Sequence, residues 1–149
     1  FFFQPHAGIR DPLWSRGLGD VYKRQDGKVF VTVGAGGAFP SGSAELTDEA
    51  RTIMAKIATT GVGPTSKITV SGHTDNVPLK FGSNFRDNWD LSTERALSVV
   101  RFLRSEGISA NRLAAAGYGE FQPIDSGNSA ASKQRNRRIE LKLTQRVTP

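Results

Sequence analysis

The chain has 149 residues, with 20 Lys and Arg against 14 Asp and Glu, and no cysteine. Disulfides, thiol catalysis and cysteine zinc sites are therefore excluded, and redox usage says nothing about compartment. No run approaches the roughly 18 consecutive apolar residues of a membrane-spanning helix.

Residues 1–25 read as a non-native segment. Ser15 to Gln25, SRGLGDVYKRQ, is what a transposase-type sequencing adapter encodes. Gly8-Ile9-Arg10-Asp11 fits the translated outer primer, and Pro12-Leu13-Trp14 falls where a sample index would lie. The alternative is a natural aromatic and basic leader. Segments of adapter origin are excluded from fold reasoning, so the native chain is expected to begin near Asp26. Without them the formal charge falls from +6 to +4. Residues 26–149 have the length of one ordinary domain, with a core expected over about 39–143.

From Lys28, Val29, Val31 and Val33 alternate with Phe30 and Thr32, the period-two pattern of a strand. Gly34 to Gly42 is Gly-rich and contains Pro40, which predicts an irregular loop; no P-loop Lys-Ser/Thr follows to cradle phosphate. Thr47 can cap a helix whose Asp48 and Glu49 suit its positive start, with Ile53, Met54 and Ile57 on one face and Gly61-Val62-Gly63-Pro64 as its stop. Lys67 to Gly72 reads as the second strand, and Asn76 to Asp90 as a long loop of the kind that is functional or mobile. Ser92 is the expected cap of the main helix, where Ala96, Val99, Val100 and Leu103 follow helical spacing, Arg101, Arg104 and Glu106 face water, and Gly107 ends the run. Leu113 to Gly117 is a short strand, Tyr118 to Asn128 a second loop, and Ser129 to Arg135 a short helix. Ile139, Leu141 and Leu143 alternate in a final strand. The order βαβαβαβ predicts an α/β two-layer sandwich, helices on one face of one sheet.

Within this frame Asp75 closes a strand and Arg95 falls in the first turn of a helix that starts at Ser92. A helix start carries partial positive charge, so a guanidinium there calls for an anion, while an Asp at a strand end can take an ammonium. Together they suggest a site for a zwitterion. Each also has a plain reading: Asp75 as a turn former, and Arg95 as a surface partner of Asp87, Asp90 or Glu94. His73 reads as a hydrogen-bonded structural histidine, since no further metal ligands are signalled. Its pairing with Asp75 lacks a Ser or Cys nucleophile, so catalysis is not expected and no cofactor is called for.

Four motifs carry a resemblance: Gly72-His73-Thr74-Asp75, Leu91-Ser92-Thr93-Glu94-Arg95-Ala96, Gly117-Tyr118-Gly119-Glu120 with Pro123, and Asn136-Arg137-Arg138-Ile139-Glu140. In this order the chain resembles the OmpA-like peptidoglycan-binding domain. Phe39-Pro40-Ser41-Gly42-Ser43-Ala44-Glu45-Leu46, Asn76-Val77-Pro78 and Asn88-Trp89 make it most similar to the periplasmic part of flagellar stator subunits of the MotB and PomB kind. The resemblance implies a mixed sheet and noncatalytic recognition of the peptidoglycan peptide stem, chiefly diaminopimelate. Asp75 would meet its ammonium and Arg95 its carboxylate, with Arg137 nearby and Thr74, Asn76, Leu91 and Asn136 contributing. It also implies a homodimer, a stator A-subunit met through a region upstream of this sequence, and a periplasmic domain of an inner-membrane protein. Ser132-Lys133-Gln134 departs from the family's Gly-Arg-Ala, and the Asn76 to Asp90 loop exceeds the usual spacing.

Two other readings stand beside this one. An OmpA or Pal-type outer-membrane tether would share the ligand and differ in its anchor. The run Lys133 to Arg138, KQRNRR, could make a nucleic-acid-binding module through Arg135, Arg137 and Arg138, although no stacking aromatics interleave with it and nucleic acid is not the expected partner.

Overall fold

The computed structural model describes residues 21–25, 28–60 and 66–144. Its strands are β1 (Val21–Gln25), β2 (Lys28–Gly34), β3 (Lys67–His73), β4 (Leu113–Gly117) and β5 (Arg138–Thr144). The helices are α1 (Ala35–Ala38), α2 (Asp48–Thr60), α3 (Asn88–Ser105) and α4 (Ala130–Asn136), with a 3-10 turn at Ala110–Arg112. The sheet order is β1-β2-β5-β3-β4, parallel only between β3 and β4, which is the mixed sheet expected. From β2 onward, with the short α1 and the 3-10 turn set aside, strands and helices alternate in the expected βαβαβαβ order.

Period-two alternation explains the core. Val29, Val31 and Val33 of β2 lie opposite Leu143, Leu141 and Ile139 of β5, whose other side meets Ile68 and Val70 of β3. All eight are buried, so cross-strand apolar pairs run unbroken over the sheet centre. Helix α2 covers them with Ala50, Ile53, Met54 and Ile57, and α3 with Ala96, Val99 and Leu103. Val100 packs at the margin, while Arg101, Arg104 and Glu106 are exposed. Thr47 caps α2 as expected, its Oγ1 accepting from Ala50 N at 3.2 Å. Gly107 follows α3 with φ 105°, the left-handed conformation that favours glycine after a helix.

Helix α3 rests on bare backbone. Gly72 and Gly117 are register partners on β3 and β4. A Cβ on Gly72 would overlap the Ser92 carbonyl, and one on Gly117 would lie 2.6 Å from Thr93 N. The missing side chains let the first turns of α3 touch the strands.

The sheet also takes in Val21–Gln25, which pairs with β2 from Val21↔Thr32 to Gln25↔Lys28, and two expectations are corrected. Ladder hydrogen bonds use backbone groups whatever the side chains, and Asp-Gly, the dipeptide between the two strands in sequence, is a strong hairpin signal. The Gly34–Gly42 stretch holds a single helical turn, α1, whose Ala35 and Ala38 are small enough to be buried against the core. The main helix starts at Asn88, not after Ser92. Asp87 Oδ1 accepts from Asp90 N at 2.8 Å and Asp90 Oδ2 accepts from Arg86 N at 3.0 Å, a reciprocal cap that begins the helix a turn earlier. The expected stop at Gly61 to Pro64 and residues 1–20 lie outside the described residues.

Candidate functional site

Asp75 leaves the end of β3 into the loop that precedes α3. Its Oδ1 accepts from Val77 N at 3.0 Å, so it does shape a turn, and its Oδ2 accepts from Arg137 Nη1 at 2.6 Å. Thr74 holds the backbone around it, donating from N to Gly119 O at 2.9 Å and from Oγ1 to Asp75 O at 2.8 Å. Asn88, in the first turn of α3, donates its amide to Asp75 O at 3.3 Å and Val77 O at 3.1 Å. The backbone of Asp75 is thus held by Thr74 and Asn88, and its carboxylate by Val77 N and Arg137.

Arg95 is the eighth residue of α3, so the argument from the helix start does not apply to it. Burial replaces that argument. The residue is 6% exposed; its Nε donates to Ser43 O at 2.8 Å, Nη2 to Pro40 O at 3.4 Å, and the guanidinium carbon lies 4.9 Å from the Phe39 ring centroid. Burial, then the charge of Arg137, lower its pKa to about 10, while Asp75 opposes the shift. It remains a cation at neutral pH, and a poorly solvated one. None of its carbonyl contacts involves Nη1, which leaves a donor for an incoming anion.

Asp75, Arg95 and Arg137 border one cleft of about 740 Å³, within the ~300–1,000 Å³ range of small-ligand sites. Thr74 and Leu91 also line it, with Phe39 and Ser41 on one side and the loop from Val77 to Asn84 on the other. Five of the seven residues expected at a site thus meet in one place. Asn76 and Asn136 do not line it. Asn76 is exposed and donates to Asn128 Oδ1 at 3.3 Å. Asn136 is a loop clamp: Oδ1 accepts from Ile124 N at 2.9 Å and Asp125 N at 3.0 Å, and Nδ2 donates to Asp125 O at 2.9 Å. Three hydrogen bonds from its amide thus go to folding the Tyr118 to Asn128 loop.

The sequence reading missed the carbonyls of Pro40 and Ser43 that hold Arg95, for which no side-chain pattern exists. It also missed Asn88, whose signal was a short amide directly after a long loop. Ser92 is a cross-link, not a cap: its Oγ accepts from Gly119 N at 3.0 Å and donates to Trp89 O at 3.1 Å.

The basic run is internally engaged. Arg135 pairs with Asp125, its Nε donating at 2.7 Å. Arg137 pairs with Asp75. Arg138 is buried, with Nε on Glu140 Oε2 at 2.6 Å, Nη1 on Asn136 O at 3.1 Å and Nη2 on Gln122 O at 2.9 Å. These contacts tie loops and strands together, while Arg135 and Arg137 keep part of their side chains exposed.

His73 is buried and stacks on Tyr118, centroids 5.1 Å apart and planes 9° apart. Its Nε2 faces Glu140 Oε1 at 3.6 Å, a long contact, and its Nδ1 has no hydrogen-bond partner. Glu140 is held down to about 2, first by that imidazole and then by Arg138, against the upward push of burial. Among the described residues no three His, Asp or Glu side chains group to hold a metal, and no helix is long and apolar enough to cross a membrane.

The fold recurs in known proteins. The OmpA family model matches residues 38–137. Motility protein B of Bacillus subtilis is 34% identical over 120 residues, 79% of this chain and 46% of that protein, so the chain spans about half the relative's length. A MotB-like protein from Desulfovibrio vulgaris superposes with a TM-score of 0.82 at 29% identity, over 89% of this chain and 84% of that one. The cell wall anchor of the T6SS from Pseudomonas aeruginosa does so with 0.75 at 28% identity, over 85% and 88%. With two thirds of its length inside the family's pattern and 89% of it covered by a MotB-like structure, the chain belongs to the OmpA family.

Proposed function

We propose that the domain binds the peptide stem of peptidoglycan without chemistry and thereby tethers a larger, MotB-like stator subunit to the cell wall. The ligand end is diaminopimelate, its ammonium shared with Asp75 and its carboxylate gripped by Arg95, with Arg137 completing the charge balance. The observation that carries this reading is the buried Arg95 with an unclaimed Nη1, bordering the same cleft as Asp75. A zwitterion answers both groups at once. The domain acts in the periplasm, as a homodimer, attached through an upstream region to the inner membrane and a stator A-subunit. The MotB relative and the cell wall anchor support the tethering role.

The test is co-sedimentation with purified diaminopimelate-type peptidoglycan. Removing one partner of a desolvated charge contact costs about 2–5 kcal/mol, roughly a 30-fold to several-thousand-fold loss. Asp75→Ala and Arg95→Ala should each lose binding on that scale, and Arg95→Lys should recover little, because an ammonium cannot keep the Ser43 and Pro40 carbonyl contacts and also present a donor where Nη1 lies. Arg101→Ala, on the exposed face of the same helix, should bind like the parent. Folded Asp75→Ala and Arg95→Ala proteins that still bind fully would refute the site.

A further inference from the structure

Trp89 and Phe121 stack outside the cleft, ring centroids 5.0 Å apart at 25°, yet remain 48% and 59% exposed. Their placement is built into the fold. Gly119 has φ 62° and no Cβ; one there would lie 3.4 Å from Trp89 Cδ2, so the indole rests against bare backbone. Gly119 in turn donates to Ser92 Oγ and accepts from Thr74 N, and Thr74 lines the cleft. Asn88, the residue before Trp89, lines it too. The aromatic pair is thus joined through short backbone contacts to the wall that holds Asp75. Asn76, next in sequence to the cleft-lining Asp75, and Asn128 are exposed amides 3.3 Å apart that supply neutral donors and acceptors.

We propose that Trp89 and Phe121 form a platform for the sugar strand of the same polymer whose peptide enters the cleft. This rests on the cleft reading for its ligand and adds a second, uncharged subsite. A pyranose ring offers one face of C–H groups to the negative face of an aromatic ring, and its hydroxyl and acetamido groups are matched by neutral amides. A stem peptide is covalently joined to its glycan, so an uncharged subsite that starts one residue after the cleft-lining Asn88 suits a sugar. Pre-positioned rings lose little freedom on contact.

The experiment uses the full chain in a Trp14→Phe background, which leaves Trp89 as the sole indole. Three probes are titrated: a diaminopimelate-containing disaccharide tetrapeptide, the same tetrapeptide without sugar, and an N-acetylglucosamine tetramer. The sugar-bearing peptide should bind about three- to tenfold tighter than the bare one. Phe121→Leu should shrink that advantage and, with Trp14 restored, Trp89→Ala should abolish it, both leaving the bare tetrapeptide's affinity unchanged. The tetramer alone should shift Trp89 emission. Equal binding of the two peptides by the parent, with a silent tetramer, overturns the platform. So does a Trp89→Ala protein whose only change is a lower sedimenting mass, which would make the patch a contact between copies. If the bare tetrapeptide fails to bind while the tetramer still shifts Trp89, the cleft reading falls and the platform stands.

Discussion

Glu140 gives the clearest titration. Its carboxylate meets Arg138 Nε at 2.6 Å and the His73 imidazole at 3.6 Å, and its pKa is held at about 2 against an ordinary 4.5. The folded state therefore favours the ionised form, so this stabilisation is complete above about pH 4.5 and is lost as pH falls from there toward 2. Partial exposure and salt reduce its size. Glu140→Gln should flatten the acid limb of a plot of urea midpoint against pH, and an unchanged slope between pH 5 and 2 would show that Glu140 does not govern it. Asn136 separates folding from binding. Asn136→Ala strips partners from Ile124 N and Asp125 N, at about 1–3 kcal/mol, and should lower the thermal midpoint while the folded fraction binds peptidoglycan like the parent. Weakened binding by fully folded protein would return Asn136 to the site.

At the scale of elements, the seat of α3 decides whether the cleft has its geometry. Gly72→Ala drives a methyl group into the Ser92 carbonyl, which is backbone and cannot swing away. Overpacking of this kind costs about 1–3 kcal/mol, occasionally more, and should also lower peptidoglycan affinity, because Arg95 rides on α3 and Asp75 on β3. Chemical denaturation and co-sedimentation read the two effects separately; wild-type values in both would mean the helix does not depend on this contact. Asp87→Ala should cost about 1 kcal/mol as a lost cap. The same elements show what the sequence could carry. Valine alternation in β2 and the Ala96, Val99, Leu103 spacing in α3 set strand and helix outright, because burial of one face follows from period alone. The start of α3 did not follow, since Asp87 and Ser92 are both good caps and only the contact of Ser92 with Gly119 decides between them. Asp75, Arg95 and Arg137 were legible as chemistry through their motifs. That Arg95 leans on Pro40 and Ser43 carbonyls was not, because every residue has a carbonyl.

For the whole molecule, the described core runs from Val29 to Leu143, while β1 adds only a strand at the sheet edge. A chain beginning at Asp26 should therefore fold cooperatively, with a thermal midpoint within a few degrees of the parent, as a change of about 1 kcal/mol gives in a domain of this size. A midpoint lower by tens of degrees would make the first 25 residues part of the folding unit.

Among the described residues, strand β5 is the last element in sequence and the middle one of the sheet, bonded to β2 on one side and β3 on the other. A chain made or threaded from its N-terminus holds two separate strand pairs, β1 with β2 and β3 with β4, until Arg138 to Thr144 arrives to join them. Arg137, which completes the Asp75 pair across 62 residues, comes with it. Such non-local closure is slow, so the sheet, and with it the Asp75–Arg137 pair that borders the cleft, is completed only once β5 has joined its two neighbours.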